Sequence, residues 1–242
     1  MNTITNELNL EDLTVGEIVA ENYHSAGVFK KYGLDFCCGG NIKLRDACEK
    51  NHIDTGRVVG ELKAINWNQS NGNENYLAWE PGFLINHIID THHKFVMAKI
   101  EEIAGYAARV ANVHGSNHPE NVEIYHKFTE LSQEMIEHMK DEEERVFPLI
   151  MKIYEKRISG KEIPGELQNE LQKEIREMEN DHEAAGSLMD EIRVLSNQFT
   201  PPADACTTYR ILYQNLEGFE SDLHKHVHLE NNILFKKAEK LI

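Results

Sequence analysis

The sequence predicts an all-α protein: a small helical N-terminal domain followed by an up-down-up-down four-helix bundle. Three observations predict this. From residue 82 onward apolar residues recur with helical period through four long stretches. Turn signals separate those stretches: His114-Gly-Ser-Asn-His-Pro119, Ser159-Gly-Lys-Glu-Ile-Pro-Gly165 and Thr200-Pro-Pro202. The connections are short, which makes sequential helices antiparallel neighbours.

The elements follow in order. Residues 1–65 form the N-terminal domain in this reading. Thr14-Val-Gly-Glu17 has the spacing of a capping box and opens a helix over 15–23. A second short helix covers 25–32 and stops at Gly33. A third follows Gly39-Gly40, and a fourth runs from Asp54 to Ile65. Residues 66–79, rich in Asn, Gln, Gly and Ser and without period, read as a linker. The bundle, 80–242, takes helices over 82–112, 120–157, 165–197 and 205–239. Pro148 lies inside the second of these. It lacks an N–H and its ring crowds the preceding turn, so a kink or local break is expected there.

Composition narrows the partners. The 242 residues carry 41 acidic and 25 basic side chains, a formal net charge of -16. Phosphate binding needs clustered Lys and Arg, so nucleic acid is excluded as a main partner. No apolar run approaches the roughly 18 residues of a membrane span. The polar, acidic N-terminus lacks the pattern of a signal peptide, and a cytoplasmic protein is expected. Cys37, Cys38, Cys48 and Cys206 do not form the pattern of a secreted disulfide framework.

Two copies of His-x-x-x-Glu carry the chemistry: His138-Met-Lys-Asp-Glu142 and His226-Val-His-Leu-Glu230. Residues four apart lie on one side of a helix, so each pair aims an imidazole and a carboxylate into the same space. Both pairs fall inside the apolar stripe of their helix. In the second helix the stripe is Ile124, Phe128, Leu131, Met135, Val146, Leu149 and Ile153. In the fourth it is Leu212, Leu216, Phe219, Leu223, Val227, Ile233 and Leu234. A buried Glu without a partner costs several kcal/mol or takes up a proton. One such pair is equally well read as a buried ion pair; two in the same phase are best explained by cations.

The remaining ligands come from register. Antiparallel helices put residues at one height when these are equidistant from the turn between them. His93 and the first pair are equidistant from a point near Ser116, the first pair and His182 from Lys161, and His182 and the second pair from Ala205. The first two points lie in the connecting turns and the third at the last turn, so the four sets share one layer. His182 is central in its stripe. On the first helix, phase leaves His92 and His93 both open. His224 and His228 lie outside the fourth stripe and read as surface or supporting residues. Four His and two Glu without thiolate suit Fe, Mn or Zn. With both carboxylates bridging and an oxo or hydroxo bridge, each of two irons would keep one open position. That position suits a small ligand such as O2 or NO. Ferrous iron is also held weakly among divalent metals.

The bundle resembles a hemerythrin-like domain. Oxygen-carrying hemerythrins place two His on the third helix; here only His182 is present, with Gly186 four residues later. The whole chain, over about 11–240, is similar to the repair-of-iron-centres family of ScdA/YtfE type. The resemblance rests on Asp35-Phe-Cys-Cys-Gly-Gly40, His87-Ile-Ile-Asp-Thr-His-His93, His138-Met-Lys-Asp-Glu-Glu143, Asp181-His182-Glu-Ala-Ala-Gly186, Pro201-Pro-Ala-Asp-Ala-Cys-Thr-Thr208 and His226-Val-His-Leu-Glu-Asn-Asn232. It maps the first-helix ligand to His93 and implies the set His93, His138, Glu142, His182, His226 and Glu230, with both Glu bridging two Fe ions. It further implies a homodimer of the stress response that helps restore iron–sulfur clusters damaged by nitric oxide or hydrogen peroxide, with damaged iron–sulfur proteins as clients. Reduction of nitric oxide at the di-iron site and sensing of NO, O2 or redox state are the alternative readings. Glu134 and Asp181 stand next to the ligands as candidate acids.

Adjacent cysteines before a helix are unusual. The glycines of Cys37-Cys38-Gly39-Gly40 permit a tight turn, and a following helix N-terminus should favour thiolate. A relaxed mutual disulfide is disfavoured between neighbours. Cys37 and Cys38 are therefore expected to couple the metal centre to a client.

Overall fold

The computed structural model describes residues 9–65, 67 and 75–242. The expected linker over 66–79 falls largely outside these residues; its described end, Tyr76–Ala78, is a 3-10 turn. Among the described residues there is no strand, only an isolated antiparallel bridge between Thr14 and Lys43. None of the described helices is long and apolar enough to cross a membrane.

The chain divides into two compact units. The first runs to Leu84 and includes Val227–Lys240; the second is Ile85–His226 with the last two residues. In the first unit four short helices follow one another: α1 (Val15–Glu21), α2 (Ala26–Tyr32), α3 (Leu44–Lys50) and α4 (Thr55–Ala64). The capping box at α1 is complete. The Thr14 hydroxyl accepts the Glu17 N–H at 3.1 Å, and the Glu17 carboxylate accepts the Thr14 N–H at 2.8 Å. Gly33 ends α2 with φ 65°, a conformation that favours glycine. Asp54 caps α4 through the Arg57 N–H. Val15, Ile18, Phe29, Leu44, Val58 and Leu62 are fully or nearly fully buried and form this unit's core, with Leu229, Ile233, Leu234 and Phe235 from its C-terminal segment.

The segment 39–42 differs from expectation. It is a turn, and α3 begins only at Leu44. It lies along α1: the Gly16 N–H donates to the Gly40 carbonyl at 2.8 Å and the Val15 N–H to the Ile42 carbonyl at 3.0 Å. A Cβ on Gly40 would stand 2.6 Å from the Phe36 carbonyl oxygen and 2.7 Å from the Asn232 side-chain oxygen; one on Gly16 would stand 2.1 Å from the same Asn232 atom. Glycine is required at both places by close approach. Gly40→Ala is expected to destabilise the chain by about 1–3 kcal/mol in urea unfolding, as overpacking does.

The second unit packs the greater part of four long helices as a bundle. Along the chain three of these helices are interrupted by one π turn each, the last of them in the segment that belongs to the first unit. Helix α5 comprises Pro81–His87, a π turn Ile88–His93 and Lys94–His114. Helix α6 comprises Glu120–Asp141, Glu142–Val146 and Phe147–Ile158. Helix α7 is unbroken, Gly165–Leu195. Helix α8 comprises Thr207–Leu229, Glu230–Leu234 and Phe235–Glu239. Within the bundle α6 packs on α5 and α7. The fourth helix closes it through the Phe128–Phe219 ring contact, the bond of Lys99 to Asn215 and the ion pair of Arg193 with Glu220. The expected break at Pro148 takes a specific form. The proline sits in the first turn of the last α6 segment, and the π turn immediately before it lets the Phe147 N–H reach the Glu142 carbonyl.

The turn after α5 is tied to the start of α8. His118 lies 3.1 Å from Glu120 and 3.2 Å from Asp204. Asp204, with Glu120, raises its pKa above the ordinary imidazole value. A raised folded-state pKa stabilises at low pH, and that contribution is lost as pH rises through the folded value. A proton NMR titration should therefore find His118 titrating higher in the wild type than in Asp204→Asn.

Candidate metal centre

The three π turns hold three of the six predicted ligands: His93 ends the first, Glu142 begins the second and Glu230 begins the third. A π turn widens the helix by one residue, and such turns gather at functional sites. In the first helix the widening turns both His92 and His93 inward, 2% and 3% exposed. His138, Glu142, His182, His226 and Glu230 are also buried, Glu142 and Glu230 completely.

Within the bundle unit the donors fall into two groups that share one carboxylate. The ligand atoms of His93, Glu142 and His226 lie within 4.8 Å of one another, and so do those of His138, Glu142 and His182. Glu142 Oε2 is 3.3 Å from His93 Nε2, and its Oε1 is 3.5 Å from His138 Nε2. His138 Nε2 and His182 Nε2 stand 2.8 Å apart. Neither oxygen of Glu142 has a hydrogen-bond partner among the described residues. Glu230 stands one turn beyond His226 along α8.

Outer carboxylates orient the rings. His93 Nδ1 lies 2.7 Å from Glu143, and His138 Nδ1 lies 3.4 Å from Asp181. A neutral ring donating from Nδ1 presents the bare lone pair of Nε2. Two Nε2 atoms beside one buried carboxylate are the arrangement in which a cation would be held. The donor set, imidazole and carboxylate without sulfur, suits Fe, Mn or Zn. His92 takes a supporting place: its Nδ1 is 2.9 Å from Asp222 and its ring stacks on His226 at 5.5 Å.

A cavity of about 260 Å³ reaches the His138 and His182 pair, lined also by Glu134, Glu137, Asp141 and Asp181. Burial and the Glu130 and Asp181 carboxylates push the Glu134 carboxyl above its usual range, while the hydrogen bond from His138 holds Asp181 below it. Four carboxyl groups around one opening make it attractive to cations.

Two expectations are corrected. His228 is not a surface residue but 1% exposed, packed in the first unit against Phe36 and Tyr23 with its Nδ1 3.2 Å from Asn232. Cys37 is not poised as a thiolate. No helix starts beside it; the Cys38 thiol, burial and Asp35 push its pKa well up. The cysteine N–H groups are used instead by the Asp35 carboxylate, at 2.8 Å from Cys37 and 3.1 Å from Cys38. Sequence reasoning gave no role to Glu143, Asp222 and Asn232, whose partners His93, His92 and Cys37 lie far away along the chain.

Fold and donor set define a hemerythrin-type cation-binding bundle, and residues 84–238 match the family model described as hemerythrin HHE cation binding domain. Residues 11–66 match the model for the ScdA N-terminal domain, described as a domain of unknown function. The chain is 35% identical over 224 residues to the iron-sulfur cluster repair protein ScdA of Staphylococcus haemolyticus, covering 92% of this chain and 96% of that protein. It is 30% identical over 231 residues to the iron-sulfur cluster repair protein YtfE of Dickeya chrysanthemi, covering 96% and 98%. The chain belongs to the ScdA/YtfE family of iron–sulfur cluster repair proteins.

Proposed function

We propose that this chain helps repair iron–sulfur clusters by supplying iron from a di-iron site held by His93, His138, Glu142, His182, His226 and Glu230. The observation that carries this reading is Glu142, a completely buried carboxylate whose two oxygens face histidines of two different donor groups. In this reading Glu142 and Glu230 would be shared by the two ions, His93 and His226 would hold one of them, and His138 and His182 would hold the other. When bound, the pair supplies exchangeable ferrous iron and open positions for small ligands such as NO or O2. The chain's own part is to orient the rings through Glu143 and Asp181 and to offer cations a carboxyl-lined way to the second half. Damaged iron–sulfur proteins are the clients, met in the cytoplasm by a homodimer.

The test is transfer. The iron-loaded chain is mixed with a cluster-free iron–sulfur protein, sulfide and a thiol reductant, and both proteins are separated and assayed. Cluster absorption should appear in the client as iron leaves the chain in proportion. An unchanged iron content with catalytic consumption of nitric oxide would instead assign a reductase.

A further inference from the structure

A second donor cluster lies in the first unit, outside the bundle centre. The ligand atoms of Asp35, Cys37 and Cys38 all lie within 4.8 Å of one another. The two sulfurs are 3.8 Å apart, and Cys37 Sγ is 3.3 Å from Asp35 Oδ1. Two thiolates bound to one tetrahedral ion at about 2.3 Å each are separated by about 3.8 Å. The loop that carries the two sulfurs is held in this form by side chains on both parts of the unit. Asp35 collects the N–H groups of Cys37, Cys38 and Gly39. From the opposite side, Asn232 Nδ2 donates to the Phe36 and Cys37 carbonyls at 3.2 and 3.0 Å. Gly16 and Gly40 leave Asn232 the room to do this. Asp35 is exposed and Cys38 half-buried, so the cluster is open to solvent on one side.

We infer that Asp35, Cys37 and Cys38 form a binding site for a thiophilic divalent cation, distinct from the histidine and carboxylate centre. Binding replaces the two thiol protons, which go to solvent, with two metal–sulfur bonds; the carboxylate supplies the third donor, and no electron is transferred. Three protein donors leave a fourth tetrahedral position for water or for a donor from another molecule, the arrangement of an exchangeable site and not a closed structural one. Asn232, which holds the loop, lies two residues beyond Glu230 in the same π turn. The site therefore stands on the backbone that carries a proposed bundle ligand. It does not depend on the di-iron reading, since its donors are separate.

Cadmium is the probe, because thiolate donors give it a strong ultraviolet charge-transfer band that imidazole and carboxylate do not. The full-length chain with reduced thiols, titrated with Cd2+, should develop that band with an end point of one ion per chain. Cys37→Ser with Cys38→Ser should abolish it, and Asp35→Asn should weaken binding by about tenfold or more. In the unsubstituted chain, bound Cd2+ should slow alkylation of Cys38, mapped by mass spectrometry, and leave the exposed Cys206 unchanged. Absence of the band, its survival in the double variant, unaltered affinity in Asp35→Asn, or protection of Cys206 in place of Cys38 would overturn the site. Iron content of the Cys37→Ser, Cys38→Ser chain, expected to equal the wild type's, reports separately on the bundle.

Discussion

Glu142→Gln is expected to empty both of the proposed metal positions and, in the same protein, to make the metal-free chain more stable. The carboxylate is fully buried, makes no hydrogen bond among the described residues, and stands 3.3 and 3.5 Å from the Nε2 atoms of His93 and His138. With cations present its charge is matched from both sides. Without them a carboxylate there is buried with no hydrogen bond among the described residues, and an uncompensated buried charge is costly. Glutamine keeps the shape, removes the charge and offers an amide N–H to one lone pair. Metal analysis should find iron lost from both halves. Urea unfolding in the presence of chelator should show the variant more stable than the wild type. A variant that keeps a full iron complement, or whose metal-free form is weaker than the wild type's, would rule out a bridging role. A purely structural Glu142 would move stability in the opposite direction.

How much of this was legible in the sequence depends on what each feature rests on. Helix identity rests on local period and turn signals, so α6 and α7 were placed almost to the residue, at Glu120–Ile158 and Gly165–Leu195. The His-x-x-x-Glu pairs were legible for the same reason: four residues is one turn, and the stripe says which way the turn faces. The choice between His92 and His93 was not legible from phase. A π turn occupies Ile88–His93, and the extra residue in that turn brings two consecutive side chains to the buried face. Period analysis at a constant angle per residue cannot see such a step. The surface alternative for His228 failed because the stripe described only one side of α8 and His228 is buried on another. That segment also carries the loop of Cys37 and Cys38 within the first unit, through Asn232 and Phe36. Glu143 and Asp222 reach histidines 50 and 130 residues away. Carboxylates are common on helix surfaces, and no local pattern marks these two.

The largest effect on stability is expected at Arg193→Ala, three turns beyond His182 along α7. Its guanidinium forms a two-armed ion pair with Glu220, which is completely buried. The same group bonds the Gln198 side chain at 2.9 Å and lies over the Phe199 ring at 5.2 Å. Asn197, Gln198 and Phe199 have φ of 51, 57 and 56°, a left-handed turn built without glycine, which costs about 1–2 kcal/mol per residue. Arg193 thus holds the strained turn that reverses the chain from α7 into α8 and neutralises the carboxylate that locks the two helices. Truncation leaves a buried charge alone, an effect of about 3–5 kcal/mol. Arg193→Met combined with Glu220→Leu removes both charges and should recover most of that loss in the same unfolding experiment. Equal destabilisation in the single and double variants would show that packing of the arginine stem, not the ion pair, sets the cost. The pair lies on the turn side of the metal layer, between the helices that carry His182 and His226. Its loss should therefore also weaken iron retention during dialysis against chelator, and the double variant should restore it, because what the metals need from this contact is the register of α7 against α8 and not its charge.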